Sequence, residues 1–233
     1  MKKHLLLWDI DGTLFHADRA GEIALLEAIN HLYGIQATSE GVEFGGRTEV
    51  HVVESLLRVN GIAPTHEAIH RVFEAYIDAL ARTLPTRDAT PLPGVIDILE
   101  AAAARPDIVQ GLLTGNLTDG ARIKLEHFDA WHYFAFGAFG EESADRTVLA
   151  ANALRRAAER YGHAFSPTRT WVIGDTPHDI TCGKAIGANT IAVATGRHSV
   201  DALAALHPTA VLPDLRDTAA FFAIIDRAPI SAS

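Results

Sequence analysis

Two aspartates stand one residue apart in Asp9-Ile10-Asp11-Gly12-Thr13-Leu14. Extended backbone puts residues i and i+2 on one side, so both carboxylates are expected to face the same way. Charges that close repel unless a proton or a cation sits between them. A divalent cation with oxygen ligands meets that need; an Asx turn closing a strand accounts for the same hexapeptide. Further along, Thr114-Gly115-Asn116 offers a hydroxyl, a glycine and an amide, neutral groups that suit phosphate oxygens. Gly174-Asp175-Thr176-Pro177-His178-Asp179 adds a third and a fourth carboxylate.

Each cluster follows a short apolar run of the kind that forms a strand buried on both faces. These runs are residues 5–8, 108–113 and 170–173; three more lie at 134–139, 190–194 and, more weakly, 210–212. Helical patterns at 94–104, 143–160, 177–186 and 199–206 separate most of them. Alternating strands and helices predict a mostly parallel α/β sheet. Ligands of such sheets bind beyond the carboxyl ends of the strands, so the three clusters should converge on one edge. Carboxylates, small hydroxyls and glycines gathered there favour a magnesium–phosphate site over three unrelated turns.

The alternation breaks between about residues 16 and 88, where no strand pattern stands out. Three apolar stripes at helical spacing occupy this stretch: Leu25, Leu26, Ile29, Leu32 and Tyr33; Val53, Leu56 and Leu57; Ile69, Phe73, Tyr76, Ile77 and Leu80. Prolines and polar residues at 84–94 read as a linker. The predicted organisation is an α/β core of residues 1–15 and 89–233, interrupted by an all-helical insert of residues 16–88.

The motifs, in this order and strand context, resemble the haloacid dehalogenase (HAD) superfamily, specifically its phosphatase-type, phosphoglycolate phosphatase-like members with a helical cap. Asp9-x-Asp11-Gly12-Thr13-Leu14 matches the first family motif, Thr114-Gly115-Asn116 the second and Gly174-Asp175-x-x-x-Asp179 the fourth. The insert lies where that family carries its cap, so the resemblance covers essentially the whole chain. It implies a Rossmann-like parallel sheet flanked by helices, a cap domain, and Mg2+ as cofactor. It further implies hydrolysis of a small phosphorylated metabolite: phosphoglycolate, a sugar phosphate or a nucleoside monophosphate. Asp9 would attack phosphorus and become an aspartyl-phosphate. Asp11 would protonate the leaving oxygen and then take a proton from water. Asp9, Asp175 and the Asp11 carbonyl would ligate the metal. Gly12, Thr114, Gly115 and Asn116 would hold phosphoryl oxygens, while Asp179 and Thr13 would orient these groups from behind. A phosphomutase of the same family and a non-catalytic phosphometabolite-binding protein are the alternatives.

The third motif departs from the pattern. The family usually has a lysine ahead of the fourth-motif strand, where this chain reads Glu141-Glu142-Ser143-Ala144-Asp145-Arg146. Arg146 is the candidate, with a solvated helix charge as its other reading; Lys184 is a rival by residue type but follows Asp179. Arginine can neutralise phosphoryl oxygens, yet it is larger than lysine and hydrated differently. Gly45-Gly46-Arg47-Thr48 lies between the first two helices of the insert, where capped members carry a substrate-facing loop. Gly46 would give it hinge-like freedom and Arg47 would read the leaving group; a plain loop is the competing reading. His16 is expected to be a solvated linker residue.

Three patterns are set aside. Residues 41–48 nearly spell a P-loop, but Arg47 stands in the lysine position and no apolar strand precedes Gly41. His66-Glu67-Ala68-Ile69-His70 matches H-E-x-x-H but lacks the downstream glycine and third histidine, and a solvated helix face is expected. Cys182 has alanine six residues on, at Ala188, where a cysteine-dependent phosphatase needs arginine; a small, partly buried side chain is expected.

The remaining bounds are broad. One cysteine in 233 residues excludes an intrachain disulfide and a four-cysteine zinc site. A net charge of -9 argues against a broad nucleic-acid or anionic-membrane surface. Asp9 and Asp11 cut the N-terminal apolar run short of a signal sequence, and no stretch is long enough to span a membrane. A cytoplasmic protein, monomer or homodimer, is expected.

Overall fold

The computed structural model describes residues 3–227. Residues 228–233, read as a loose tail from sequence, lie outside the described residues. The strands are β1 (His4–Trp8), β2 (Phe15–His16), β3 (Thr90–Pro91), β4 (Ile108–Leu113), β5 (Gly137–Ala138), β6 (Thr170–Gly174), β7 (Asn189–Val193) and β8 (Ala210–Leu212). The helices are α1 (Ala20–Tyr33), α2 (Glu49–Val59), α3 (His66–Thr83), α4 (Val95–Ala103), α5 (Thr118–His127), α6 (Arg146–Tyr161), α7 (Pro177–Ala185), α8 (Val200–Ala204) and α9 (Thr218–Asp226).

Six strands form one parallel sheet in the order β5-β4-β1-β6-β7-β8. Strand β1 is central and every one of its residues is buried. Alternation splits its side chains between two cores. Leu6 and Trp8 join Leu112, Ile173 and Val193 in packing against α4 and α9, where Trp8 stacks on Phe221. Leu5 and Leu7 join Val109, Leu113 and Val172 against Leu149, Ala153 and Ala157 of α6. A buried leucine contributes on the order of 1.5–3 kcal/mol, so this two-sided packing fixes β1 and the residues at its end.

Helices α1, α2 and α3 bury a third core among themselves, built on Leu25, Ile29, Val53, Leu56, Tyr76 and Leu80. The third stripe is rotated from the predicted one. Ala68, Val72, Tyr76, Ala79, Leu80 and Thr83 are the buried face of α3, whereas Ile69, Phe73 and Ile77 are half-buried at its flank. Small residues lie where α1 packs closely on α3, which a scan for large apolar side chains overlooks.

Other expectations also shift. The stretch 84–94 is not a featureless linker: Leu84–Thr86 forms a 3-10 turn, and β3 pairs antiparallel with β2. That ribbon closes the base of the helical unit and places His16 in a strand. The predicted strand 134–139 is reduced to Gly137–Ala138, because Trp131–Tyr133 winds into a 3-10 turn and β5 is the sheet edge. The helix expected from 143 starts at Arg146, because the Asp145 side chain accepts a hydrogen bond from the Thr147 N–H and caps it. Among the described residues no helix is long and apolar enough to cross a membrane.

Candidate active site

Strand β1 lies between β4 and β6, with Trp8 in register with Leu112 and Ile173. Residues just past these ends are therefore neighbours, and the three motifs meet at one sheet edge. The Asp9 N–H donates to the Ile173 carbonyl at 3.0 Å, which ties the first motif to β6.

Carboxylate oxygens of Asp9, Asp175 and Asp179 lie within 4.8 Å of one another, and all three residues are buried. Asp179 is already committed. One oxygen accepts from Arg146 at 2.5 Å; the other accepts from the Thr176 N–H at 3.0 Å and its hydroxyl at 2.6 Å. Asp175 accepts from the Thr13 hydroxyl at 3.2 Å. A Cβ on Gly196 would fall 1.8 Å from an Asp175 oxygen, so glycine is what lets the chain pass this carboxylate.

Burial pushes the Asp175 carboxyl up to about 8, and the nearby charges of Asp179 and Asp9 add to the shift. Asp9 is raised as well, first by burial, against the pull of Arg146. Two carboxylates held dry and close to a third are short of positive charge. Hard oxygen donors, buried together, fit a divalent cation such as Mg2+. Asp9 and Asp175 would hold it.

Arg146 opens α6 and is brought into this cluster, not into solvent. One Nη donates to Asp9 at 3.3 Å, to Asp179 at 2.5 Å and to the Leu113 carbonyl at 3.2 Å. The other donates to the Gly46 carbonyl at 3.2 Å. Burial opposes its charge, but Asp179 and Asp9 more than restore it, so the guanidinium stays protonated. Lys184 is exposed and donates to the Leu206 carbonyl, away from the site.

Asp11 corrects the expectation of two carboxylates sharing one cation. The Ile10 carbonyl accepts from the N–H groups of Thr13, Leu14 and Phe15, so the extended geometry ends at Ile10 and same-side alternation no longer applies. The Asp11 carboxylate accepts from the Lys124 ammonium at 2.7 and 2.9 Å and from the Asn116 amide at 2.8 Å. Its side chain is 45% exposed, toward a cavity of about 420 Å3. Asp9, Gly12, Gly115, Asn116, Lys124 and Arg146 share in the wall. Thr114 is buried behind Asn116, its hydroxyl accepting from the Asn116 N–H and amide, and does not reach that wall.

The loop at Gly45 to Thr48 packs directly on the second motif. A Cβ on Gly115 would fall 2.1 Å from the Arg47 carbonyl oxygen. Gly46 has φ +69°, and a Cβ on it would fall 2.6 Å from both the Thr176 hydroxyl and the His178 ring. Arg47 pairs with Glu43 at 2.7 Å and borders the cavity, as does exposed His16. Cys182 is fully buried, not partly, and burial pushes its thiol up to about 12. His66, Glu67 and His70 lie on the exposed face of α3, as expected.

Two buried charges escaped sequence reasoning. Lys124 sits on α5, a polar helix with no apolar stripe to mark it, and none was predicted there. Glu49, first residue of α2, accepts from the Tyr76 hydroxyl at 2.5 Å and the Leu117 N–H at 2.7 Å. Burial pushes its carboxyl up to about 7, against Lys124 and these hydrogen bonds. The available signal was position: Glu49 follows the Gly-Gly-Arg-Thr loop, and Lys124 follows Asn116 by two helical turns.

A family model described as HAD-hydrolase-like matches residues 149–218, the segment that carries the fourth motif. Among solved structures, a predicted phosphoglycolate phosphatase from Haemophilus somnus superposes with TM-score 0.72 at 18% identity, covering 95% of this chain and 99% of that chain. CbbY from Rhodobacter sphaeroides, in complex with phosphate, gives TM-score 0.72 at 18% identity, covering 92% and 96%. A hydrolase from Pseudomonas syringae gives 0.70 at 20%, covering 96% and 99%. No curated protein sequence matches. The fold is that of the HAD-like hydrolases, with the Rossmann-like core the motifs implied.

Proposed function

We propose that this protein is a Mg2+-dependent phosphatase that hydrolyses a small phosphomonoester through an aspartyl-phosphate on Asp9. The observation that carries the reading is the clustering of two buried carboxylates, Asp9 and Asp175, beside the Arg146 guanidinium at the end of a substrate-sized cavity. The shared fold supports it.

Asp9 is the nucleophile. An anion attacking a phosphate anion is opposed by charge, and Arg146, 3.3 Å from Asp9, offsets part of it. Asp9, Asp175 and the Asp11 carbonyl would hold Mg2+, which when bound would supply the remaining charge neutralisation on the phosphoryl oxygens. Gly12, Gly115 and Asn116 receive those oxygens, with Thr114 fixing Asn116 from behind. As the P–O bond breaks, its electron pair goes to the leaving oxygen, which takes a proton from Asp11. Water then attacks the phosphorus of the aspartyl-phosphate and gives its proton to Asp11, freeing Asp9. Helices α1 to α3 act as a cap whose loop carries Gly46 and Arg47 over the site, excluding bulk water. Phosphoglycolate, sugar phosphates and nucleoside monophosphates are the candidate substrates.

The test is free-phosphate release from a panel of these esters with Mg2+. Release that stops on chelation supports the reading. An isomerised sugar phosphate with little free phosphate would make the protein a mutase. Binding without turnover on every ester would leave it a phosphometabolite-binding protein.

A further inference from the structure

The helical unit and the core meet over one buried cation that the mechanism above does not use. Lys124 is only 4% exposed, although it lies on a helix of polar residues. Its ammonium donates to both Asp11 oxygens and to the Asn116 side-chain amide oxygen at 2.5 Å. A buried ammonium is costly unless its hydrogen bonds and charge are met. On the core side Asp11 and Asn116 meet them. On the other side stand Glu49 and Tyr76 of α2 and α3. A Cβ added at Gly21 would lie 3.5 Å from the Tyr76 hydroxyl and 3.7 Å from the Lys124 ammonium, so these groups converge on one point. Glu49 is itself immobilised, since both its oxygens accept hydrogen bonds and its N–H donates to the Gly115 carbonyl at 2.7 Å.

We propose that Lys124 is the positioning residue of Asp11: its ammonium fixes the Asp11 carboxylate at the cavity wall, and Glu49, held by Tyr76 and the Leu117 N–H, keeps that ammonium in place. This assignment rests on the phosphatase reading. A protonated Asp11 still offers Lys124 one carbonyl oxygen, which leaves the acidic O–H free to face the leaving group. The bond to Asn116 keeps the ammonium in place while Asp11 gives up and regains its proton. The Asn116 amide is a second anchor, at 2.8 Å, but it is neutral and reaches one Asp11 oxygen, whereas the ammonium holds both oxygens of this half-exposed side chain.

The chemistry gives this role its own signature. An alkoxide leaving group needs the Asp11 proton as the P–O bond breaks, whereas p-nitrophenolate departs without one. The ratio kcat/KM covers the steps only through that departure. Lys124→Gln should lower kcat/KM on an alkyl phosphate by about 100-fold, the low end of general-acid contributions, and on p-nitrophenyl phosphate by less than about 5-fold. Lys124→Arg should recover most of the alkyl activity. Glu49→Gln, which can keep its hydrogen bonds and loses only the charge, should show the same bias at smaller size; it decides the matter if Lys124→Gln does not fold. Equal losses on the two esters would mean a substrate-binding or structural role and overturn the assignment. Inactivity of the unaltered protein on both esters would instead overturn the phosphatase reading beneath it.

Discussion

Asp9 and Asp11 are one residue apart, and they occupy opposite electrostatic settings. Asp9 is buried beside two other carboxylates with a single arginine, and its pKa is raised first by burial. Asp11 is half-exposed at the cavity wall and clasped by a lysine and an amide. One setting is short of positive charge and calls for a cation. The other is already balanced and presents a carboxylate to whatever fills the cavity. A single tight turn after Ile10 thus separates the proposed nucleophile from the proposed acid and base, with one basic residue beside each.

The sharpest way to break this contrast is at Asp9. Asp9→Asn removes the proposed nucleophile but not the volume, and should lower phosphate release on the order of 10^4-fold or more. Its melting temperature should not fall, because the substitution relieves one of three crowded carboxylates. Turnover that survives would end the assignment of Asp9.

Next in size is the arginine. Arg146→Ala should reduce kcat by about 10^2- to 10^3-fold. It should also destabilise the protein by roughly 3–5 kcal/mol, since Asp179 is left buried without its partner. Arg146→Lys keeps the charge but cannot span Asp9, Asp179 and the Gly46 carbonyl together, and should fall between the two in both measurements. Lys184→Ala should change activity by less than about 2-fold, as a surface substitution does. The reverse order in a kinetic comparison would move the third motif to Lys184.

The contrast also explains what the sequence could disclose. Buried strands announced themselves as apolar runs, and an acidic or small residue at the end of each marked the sheet edge where Asp9, Thr114 and Asp175 meet. Arg146 was legible because a motif slot required a cation. Lys124 was not, because its role depends on α5 crossing under α3, a tertiary fact with no local pattern. The orientation of Asp11 was misjudged for a related reason: alternation holds only while the chain stays extended, and three N–H groups folding back onto the Ile10 carbonyl end that condition. In α3 the helix was evident, but its buried face followed small residues that large-apolar counting passes over.

The smallest expected effect concerns stability, and it separates the two settings without turnover. Asp175 is raised to about 8 in the folded protein, above its ordinary value. A raised carboxyl binds a proton more tightly in the folded than in the unfolded chain. Its contribution is therefore fully present at low pH and is lost as pH rises through the folded value. Asp9 shifts in the same direction. Metal-free protein should then lose stability from about pH 4, where the carboxyls ionise in the unfolded chain, to about pH 8, and level off above it, while Mg2+, by favouring the ionised carboxylates, should offset the loss. Each kcal/mol of difference moves the melting temperature of a chain this size by roughly 2–4 °C. Thermal melts with and without Mg2+ should diverge as pH rises, and Asp175→Asn should remove most of the divergence. Buried His4 and half-buried His178, whose pKa values are lowered, act alike in both series and cancel in the difference. Parallel melting curves across this range would mean that the Asp9–Asp175 pocket takes no cation, and the contrast with Asp11 would then be one of burial alone.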